Sequence, residues 1–561
     1  MSTTGIYGLS GSGIDVDSMV KVGMLTKQNQ YDKMYKEEVK NEWMKEAYSD
    51  LYSDLNTFNQ TTLSTYKMSS TTSPMTATST SEGVATATAN ADAASMSHTV
   101  KVSKVATNAY IQTGGSGISR ESDASSAKSI YLKDLIASGD SSYTEDKKNN
   151  VALSFSVGDG TTTKEISFTY ADIYESNQTL NDLATKIKNS GVNIQATYDS
   201  VNDSFSLYQK TGGDANKIKL TVTDRSADET KDGTTYDQKS DDRARTLLNH
   251  LNLYQVETNT DATTHETTQS LTSLGSFTSG TQTLSASGSD GIATIDGKTY
   301  HTTSSQLTVN NVSYTLGGFG STTVTVAQDT DKVVENVKQF VTDYNKMIDA
   351  LNTKYYETQY SDYGVLTKSQ ESSMTQDQIT KWNEKAKSGL LYHDSQLGKI
   401  ISSMREAIYT PVEGTDSNYN TMMSLGITSS TDQGHLTLDE TKLKKALAAD
   451  PNCVRSVFSA SGDVTASDGT TSTDYDQEGV MNRISDALYK NLKTLKSYAG
   501  DSSETSDGST LGTLIENLKT KMSDFKTQMD AYQSALYDKY DAMESAIQQL
   551  SVQLGYITGG N

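Results

Sequence analysis

The last fifty or so residues carry an apolar repeat that limits this chain's fold more tightly than any other feature. From Leu511 it runs through Ile515, Leu518, Met522, Phe525, Met529, Tyr532 and Leu536, then resumes at Tyr540, Met543, Ile547, Leu550, Leu554 and Ile557. Alternating steps of four and three hold one narrow stripe on a helix, and a narrow stripe is buried against another helix, as in a coiled coil. Two successive steps of four at Tyr532–Leu536–Tyr540 make a stutter, which unwinds a left-handed supercoil and predicts looser pairing there. At the other end, 14–66 reads as one long helix or two in series, capped by Asp15 or Asp17. Met44, Tyr48, Leu51, Leu55 and Phe58 share one of its faces, and Trp43 is expected as a buried anchor. Helical seams at both ends predict a protein whose work is assembly.

A chain of 561 residues has room for several domains. Apolar residues are only 34%, which predicts several small cores rather than one large one. The net charge of −22 argues against a nucleic-acid partner, because phosphate binding needs clustered Lys and Arg. No apolar run approaches the ~20 residues of a membrane span. Met1 to Leu25 lacks a basic stretch followed by an apolar one, so no cleaved secretory signal is expected. The single cysteine, Cys453, excludes an intramolecular disulfide framework. That suits a cytosolic protein, and equally one exported unfolded.

Between the ends the period changes. Ser69–Ser81, broken by Pro74, reads as a Ser/Thr-rich joint. Val84, Thr86 and Thr88 then alternate with alanines, and Val100, Val102 and Val105 follow, which predicts strands. Val151, Leu153, Phe155 and Val157 alternate, Gly158-Asp159-Gly160 turns the chain, and Ile166, Phe168 and Tyr170 alternate back as a hairpin. A short helix at Leu180, Leu183 and Ile187 and three strands near Ile194, Phe205 and Ile218 complete a ββαβββ order. Val151–Val222 is therefore expected to close a core of its own. Thr223–Asp242 reads as a solvated acidic loop; its Asp228, Asp232 and Asp237 lack the spacing of a calcium loop. More strands are expected from Ala293 to Val326. Helical stripes return at Val333, Val337, Phe340, Tyr344, Met347 and Leu351, and at Leu397, Ile401, Met404 and Ile408 behind Asp394. Asp439 is expected to cap a short helix carrying Leu443, Ala446 and Leu447. The fold class is multidomain α and β, with helical termini around nested β-rich and α+β domains.

Catalysis finds no support in the residues. The six histidines are scattered, none forms a zinc-binding HExxH, and Cys453 reads as a packing residue at a helix start. Gly5, Gly8, Gly11 and Gly13 lack the lysine of a phosphate loop and read as a flexible linker. No cofactor and no metal is expected.

Several segments in order carry a resemblance. Gly13, Ile14, Asp15, Val16 and Asp17, followed by Ser18-Met19-Val20, resemble the N-terminal signature of the flagellar hook-associated protein 2 family, the filament caps of bacterial flagella. Gly83–Ala106 is similar to that family's first strand segment, Asp343–Lys346 to its return helix, and Gly389-Leu390-Leu391 with Asp394 to another of its elements. The longest likeness runs from Leu425-Gly426-Ile427-Thr428 through Gly434–Asp439 and Asp450-Pro451 to Val454 and Phe458. Tyr540–Glu544, with Leu550 and Gln553, resembles the last helix, and Leu180–Val222 a repeat inserted in outer domains of flagellins and hook-associated proteins.

The resemblance implies coiled-coil ends (1–45 and 511–561), a helical leg built from both ends (46–82 and 331–510), a β-rich plate domain (83–130 and 271–330) and an outer α+β insert (131–270). It implies a ring-shaped homo-oligomer at the flagellar tip that holds exported flagellin and promotes its folding and insertion. It further implies contact with hook–filament junction proteins, an export chaperone on the C-terminal helix, and export through the flagellar channel. The outer insert's role, cell adhesion included, stays open. Two other readings share the pattern: a hook–filament junction protein, or a secreted adhesin with a helical stalk. The run Leu425–Phe458 speaks against the first, and the missing signal and wall anchor against the second.

Overall fold

The computed structural model describes residues 15–136, 143–261, 266–430, 433–465, 470–500 and 507–558. Its longer helices are, in chain order, α1 (Val16–Thr57), α2 (Leu180–Lys188), α3 (Ser240–His250), α4 (Thr330–Tyr355), α5 (Gln376–Lys387), α6 (Ser395–Tyr409), α7 (Glu440–Ala449), α8 (Cys453–Ser459), α9 (Val480–Ala499) and α10 (Thr510–Thr558). Two compact units result, one from both chain ends up to Pro74 and from Asp329, the other from Met75–Gln328.

The helical unit is held by the stripes that the sequence displays. Tyr48, Leu51 and Leu55 of α1, with Phe58 just past its end, meet Val333, Val337, Phe340 and Tyr344 of α4, Leu397, Ile401, Met404 and Ile408 of α6, and Ile484, Leu488 and Leu495 of α9 in one core. Polar side chains fix the ends of these helices. The Asp394 carboxylate accepts the Gln396 and Leu397 N–H groups and the Tyr48 hydroxyl, so it both caps α6 and ties it to α1. Asp329 caps α4 by accepting Lys332 N–H, and Asp439 caps α7. Trp43 is only half-buried, contrary to expectation; it sits at the edge of α1's buried face, where Tyr48 and Leu51 take the interior. A π turn, Phe58–Leu63, extends α1 and leads into Ser64–Lys67. Arg483 is fully buried and donates to the carbonyls of Thr410, Pro411, Tyr475 and Asp476 at 2.7–2.9 Å, gathering two loops under α9.

Ser69–Ser81 carries regular structure on either side of Pro74. Ser69–Thr72 is a helical turn, and Met75–Ser79 is a strand paired antiparallel with Val324–Gln328. Thr and Ser serve there as strand residues, with the β-branched threonines alternating to one side.

The Met75–Gln328 unit has two cores. One lies where the sheet Met75–Ser79, Gly320–Gln328, Ser97–Lys104, Gly291–Ile295, Lys298–Thr302 meets the sheet Gln306–Val309, Val312–Leu316, Ala85–Ala89 around Val100, Val102, Ile295, Tyr314 and Val324. The other gathers the remaining strands into two sheets. Val151–Gly158 and Thr163–Thr169 form the expected hairpin, but Val151–Gly158 also pairs with Lys217–Val222, which pairs in turn with Gln282–Ser287, all in one sheet. Ile194–Asp199 and Ser204–Gly212 join Asn108–Thr113 and Leu253–Thr260 in the other. Val151–Val222 therefore does not close a core alone: Ala109, Ile111, Leu132, Leu247, Leu251, Phe277 and Ala286 complete it from both sides in sequence.

Thr223–Asp242 is likewise more than a loop. Glu229–Lys231 pairs with Thr234–Tyr236, and α3 begins at Ser240. The inward face of α3 carries Arg243, whose guanidinium donates to Ala152 O, the Tyr170 hydroxyl and the buried Asp237, so its apolar period is broken. Among the described residues no group of three His, Cys, Asp or Glu side chains is placed to hold a metal ion.

Asp159 turns the 151–169 hairpin. Burial by itself would raise its pKa, but N–H donors from Thr162, Asn193 and Thr161 outweigh burial and lower it from 3.8 to about 2. A depressed carboxylate adds stability above its unfolded pKa and gives it up as pH falls toward the folded value. Acid unfolding of the wild type is therefore expected to lose about 1–2 kcal/mol more than Asp159→Asn between about pH 4 and about pH 2. Parallel acid-titration curves for the two proteins, followed by circular dichroism, would refute this.

Candidate functional site: the paired chain ends

α10 lies antiparallel against α1, as a series of side-chain contacts establishes. Lys45 pairs with Asp507, and Lys519 meets Glu42 at 2.7 Å and Glu38 at 3.5 Å. Further along, Lys27 lies over the Phe525 and Tyr532 rings, and the Tyr537 hydroxyl donates to Asp17 at 3.0 Å. The two chain ends thus make one helical pair. α1 starts at Val16 and meets α10 near Leu536 and Tyr540. α10 continues for about five more turns, Asp541–Thr558.

That geometry divides the expected seam in two. Ile515, Leu518, Met522, Met529 and Leu536 are buried, and Phe525, Tyr540, Met543 and Ile547 are half-buried. Tyr532 is exposed, with Lys27 across its ring, and Leu550, Leu554 and Ile557 are 63%, 62% and 78% exposed. The apolar stripe does not stop where α1 begins. From Ser545 to Thr558 the helix also carries no charged residue, so this surface combines apolar side chains with neutral polar ones.

The signature residues fall at the same place. Gly13 and Ile14 lie outside the described residues. Asp15 caps α1 by accepting Ser18 N–H at 3.0 Å, Val16 is buried, and Asp17 takes the Tyr537 hydroxyl. Three side chains from this short run thereby start the helix, pack its first turn and tie it to α10.

The stutter does not loosen the pair. Leu536 is buried beside Val16 and Val20, over Gly23, where a Cβ would come within 2.8 Å of Leu536 Cδ1. A glycine inside a helix lets the partner come close, and that removes the slack that a change of phase would leave. Gly23 was not among the residues picked from sequence; a helix-interior glycine opposite a large apolar side chain was the available signal. Gly23→Val is expected to displace Leu536 and lower the protection of the α1 start in hydrogen exchange, leaving α4 and α6 unchanged. Unaltered exchange over Val16–Val20 would contradict it.

Charge fixes the upper half of the pair. Burial, then the neighbouring Glu42, raises the Glu38 pKa, whereas Glu42 is lowered because Lys519 bonding outweighs its own burial. Lys519→Met would strand both carboxylates and is expected to cost about 1–2 kcal/mol in denaturant unfolding, given that Lys519 itself is half exposed. No loss of stability would show that solvent already satisfies both carboxylates.

Cys453 is buried in the α8 start and its thiol is pushed up to about 12, chiefly by burial. What the fold and the paired ends define is a structural assembly component, with a helical body made from both termini and a β-rich insert between them.

Residues 12–109 match the N-terminus of flagellar hook-associated protein 2, and residues 288–552 match its C-terminus. The chain belongs to the flagellar hook-associated protein 2 family. It is 25% identical over 563 aligned residues to flagellar hook-associated protein 2 of Halalkalibacterium halodurans, covering 97% of each chain. The protein of the same name from Thermotoga maritima is 28% identical over 262 residues, 44% of this chain and 37% of that one. Among solved structures, three domains of the flagellar cap protein of Escherichia coli align with a TM-score of 0.46 and 17% identity, over 84% of this chain and 99% of that one. No helix among the described residues is long and apolar enough to cross a membrane.

Proposed function

We propose that this chain is the structural cap at the distal tip of a bacterial flagellum, a ring-shaped homo-oligomer that retains exported flagellin and promotes its folding and insertion. The observation that carries this reading is the apolar stripe of α10, which runs past its partner helix with Leu550, Leu554 and Ile557 exposed. A helix end of this kind gains stability when another chain covers it. In the growing flagellum that cover comes from neighbouring caps, from flagellin and from the hook–filament junction proteins. Before export it comes from a cytoplasmic chaperone on the same helix. The seam residues Ile515 to Tyr540 act one step earlier, by holding α10 on α1. The Met75–Gln328 unit supplies plate and outer insert.

Deletion of 541–561 tests this. Cells carrying it are expected to shed unpolymerised flagellin and to bear few or no filaments in electron micrographs, with the truncated protein stable and exported. Filaments of normal length would refute the reading. Export through the flagellar channel is tested separately: protein from sheared flagella should begin at or next to Met1 by mass spectrometry, and a start beyond about Leu25 would favour ordinary secretion.

A further inference from the structure

Carboxylates recur at every fourth residue along α1: Glu38, Glu42, Glu46, Asp50 and Asp54. Like charges at that spacing repel and weaken a helix, so each needs a cation nearby to offset the repulsion. Lys519 of α10 serves Glu38 and Glu42, and Lys387 of α5 serves Glu46 at 2.7 Å. Each cation comes from another helix. Asp50 and Asp54 are exposed, and no ion pair or side-chain hydrogen bond joins them to any described residue. They edge a groove of about 400 Å³ between α1 and α4, with Trp43, Leu51, Met347, Leu351 and Leu390 in its lining. At this point the row of carboxylates meets a groove instead of a helix.

The missing helix has a counterpart elsewhere on the same chain. α9 buries Leu488, Leu492 and Leu495 and turns Tyr489 outward, 66% exposed. Lys490 and Lys493 follow Tyr489 on one side of the helix, both exposed, with no ion pair or side-chain hydrogen bond to a described residue. We propose that α9 of a second copy seats in this groove, Tyr489 against its apolar lining and Lys490 and Lys493 on Asp50 and Asp54. Asp486, one turn before Lys490, is then the counterpart of Lys354 on the α4 wall. Groove and knob are different surfaces of one chain, so the contact is heterologous: each copy offers its knob to the next, and a closing rotation makes a ring. The inference rests on the self-assembly reading above and gives it a named interface.

Light scattering on the full chain at low salt tests the contact. D50K/D54K and K490E/K493E are each expected to weaken self-association at least tenfold. The fourfold variant carrying all these changes reverses both sides and is expected to recover it. Tyr489→Ser, at an exposed position, should weaken it without changing the circular dichroism or the melting curve. Reversals that leave the oligomer mass unchanged, or a fourfold variant that stays dissociated, would overturn this interface while the wild type still assembles. A wild type that remains monomeric at every concentration would overturn the self-assembly reading along with it.

Discussion

Met529→Pro is expected to open the α1–α10 pair at its middle and leave cells without capped filaments. Met529 is buried in the seam, 6% exposed, between Met522 and Leu536. Proline there removes one backbone donor and clashes with the preceding turn, a cost of about 3 kcal/mol or more. α10 draws its stability from α1 rather than from its own propensity, so the lower half separates instead of bending. The Met75–Gln328 unit has its own cores, and its unfolding should be unchanged. Hydrogen exchange would show lost protection in α10 beyond Met529 and in the first turns of α1. Electron micrographs would show flagellin in the medium rather than in filaments. Intact protection on both helices would sink the prediction.

Arg483→Met is expected to destabilise the helical unit by about 3–5 kcal/mol. The side chain is fully buried, and its four bonds all go to backbone carbonyls in the 410–411 and 475–476 loops. Methionine fills much of the space but leaves those carbonyls without donors. Arg483→Lys should recover only part of the loss, since an ammonium cannot reproduce the planar fork that reaches both loops. Denaturant unfolding of the three proteins decides it; a lysine variant as stable as the wild type would show that charge alone matters.

Where burial follows an apolar period, the sequence was readable. The stripes of α4, α6 and α10, the caps Asp15, Asp394 and Asp439, and the 151–169 hairpin stand where their spacing puts them. Polar residues doing interior work were not readable. Arg243 and Arg245 take the place of apolar residues on the inner face of α3, so no clean apolar period marks the helix that follows Thr223–Asp242. Arg483 sits on α9 among leucines, and nothing local distinguishes it from a solvated arginine. The ββαβββ order was right as a string of elements, but strand partners come from 108–113 and 282–287, and pairing across such separations leaves no periodic trace. In the seam, the stripe was legible from its spacing but its limit was not. Only the start of α1 at Val16 shows that the stripe outlasts its partner.

The π turn at Phe58–Leu63 has a consequence for how the length of this helical segment can change. From Phe58 the next buried apolar residue is Leu63, a step of five, and Tyr66 follows in phase. A plain α-helix would ask for a step of three or four, so the wide turn holds one residue more than the apolar face requires. Gln60 and Thr61 are exposed, and removing either lets the helix close normally with Phe58, Leu63 and Tyr66 still pointing inward. Insertions and deletions in helices ordinarily swing everything downstream to a new side. Here the loss of one residue is expected to be absorbed in place, with the same core kept on the inner face.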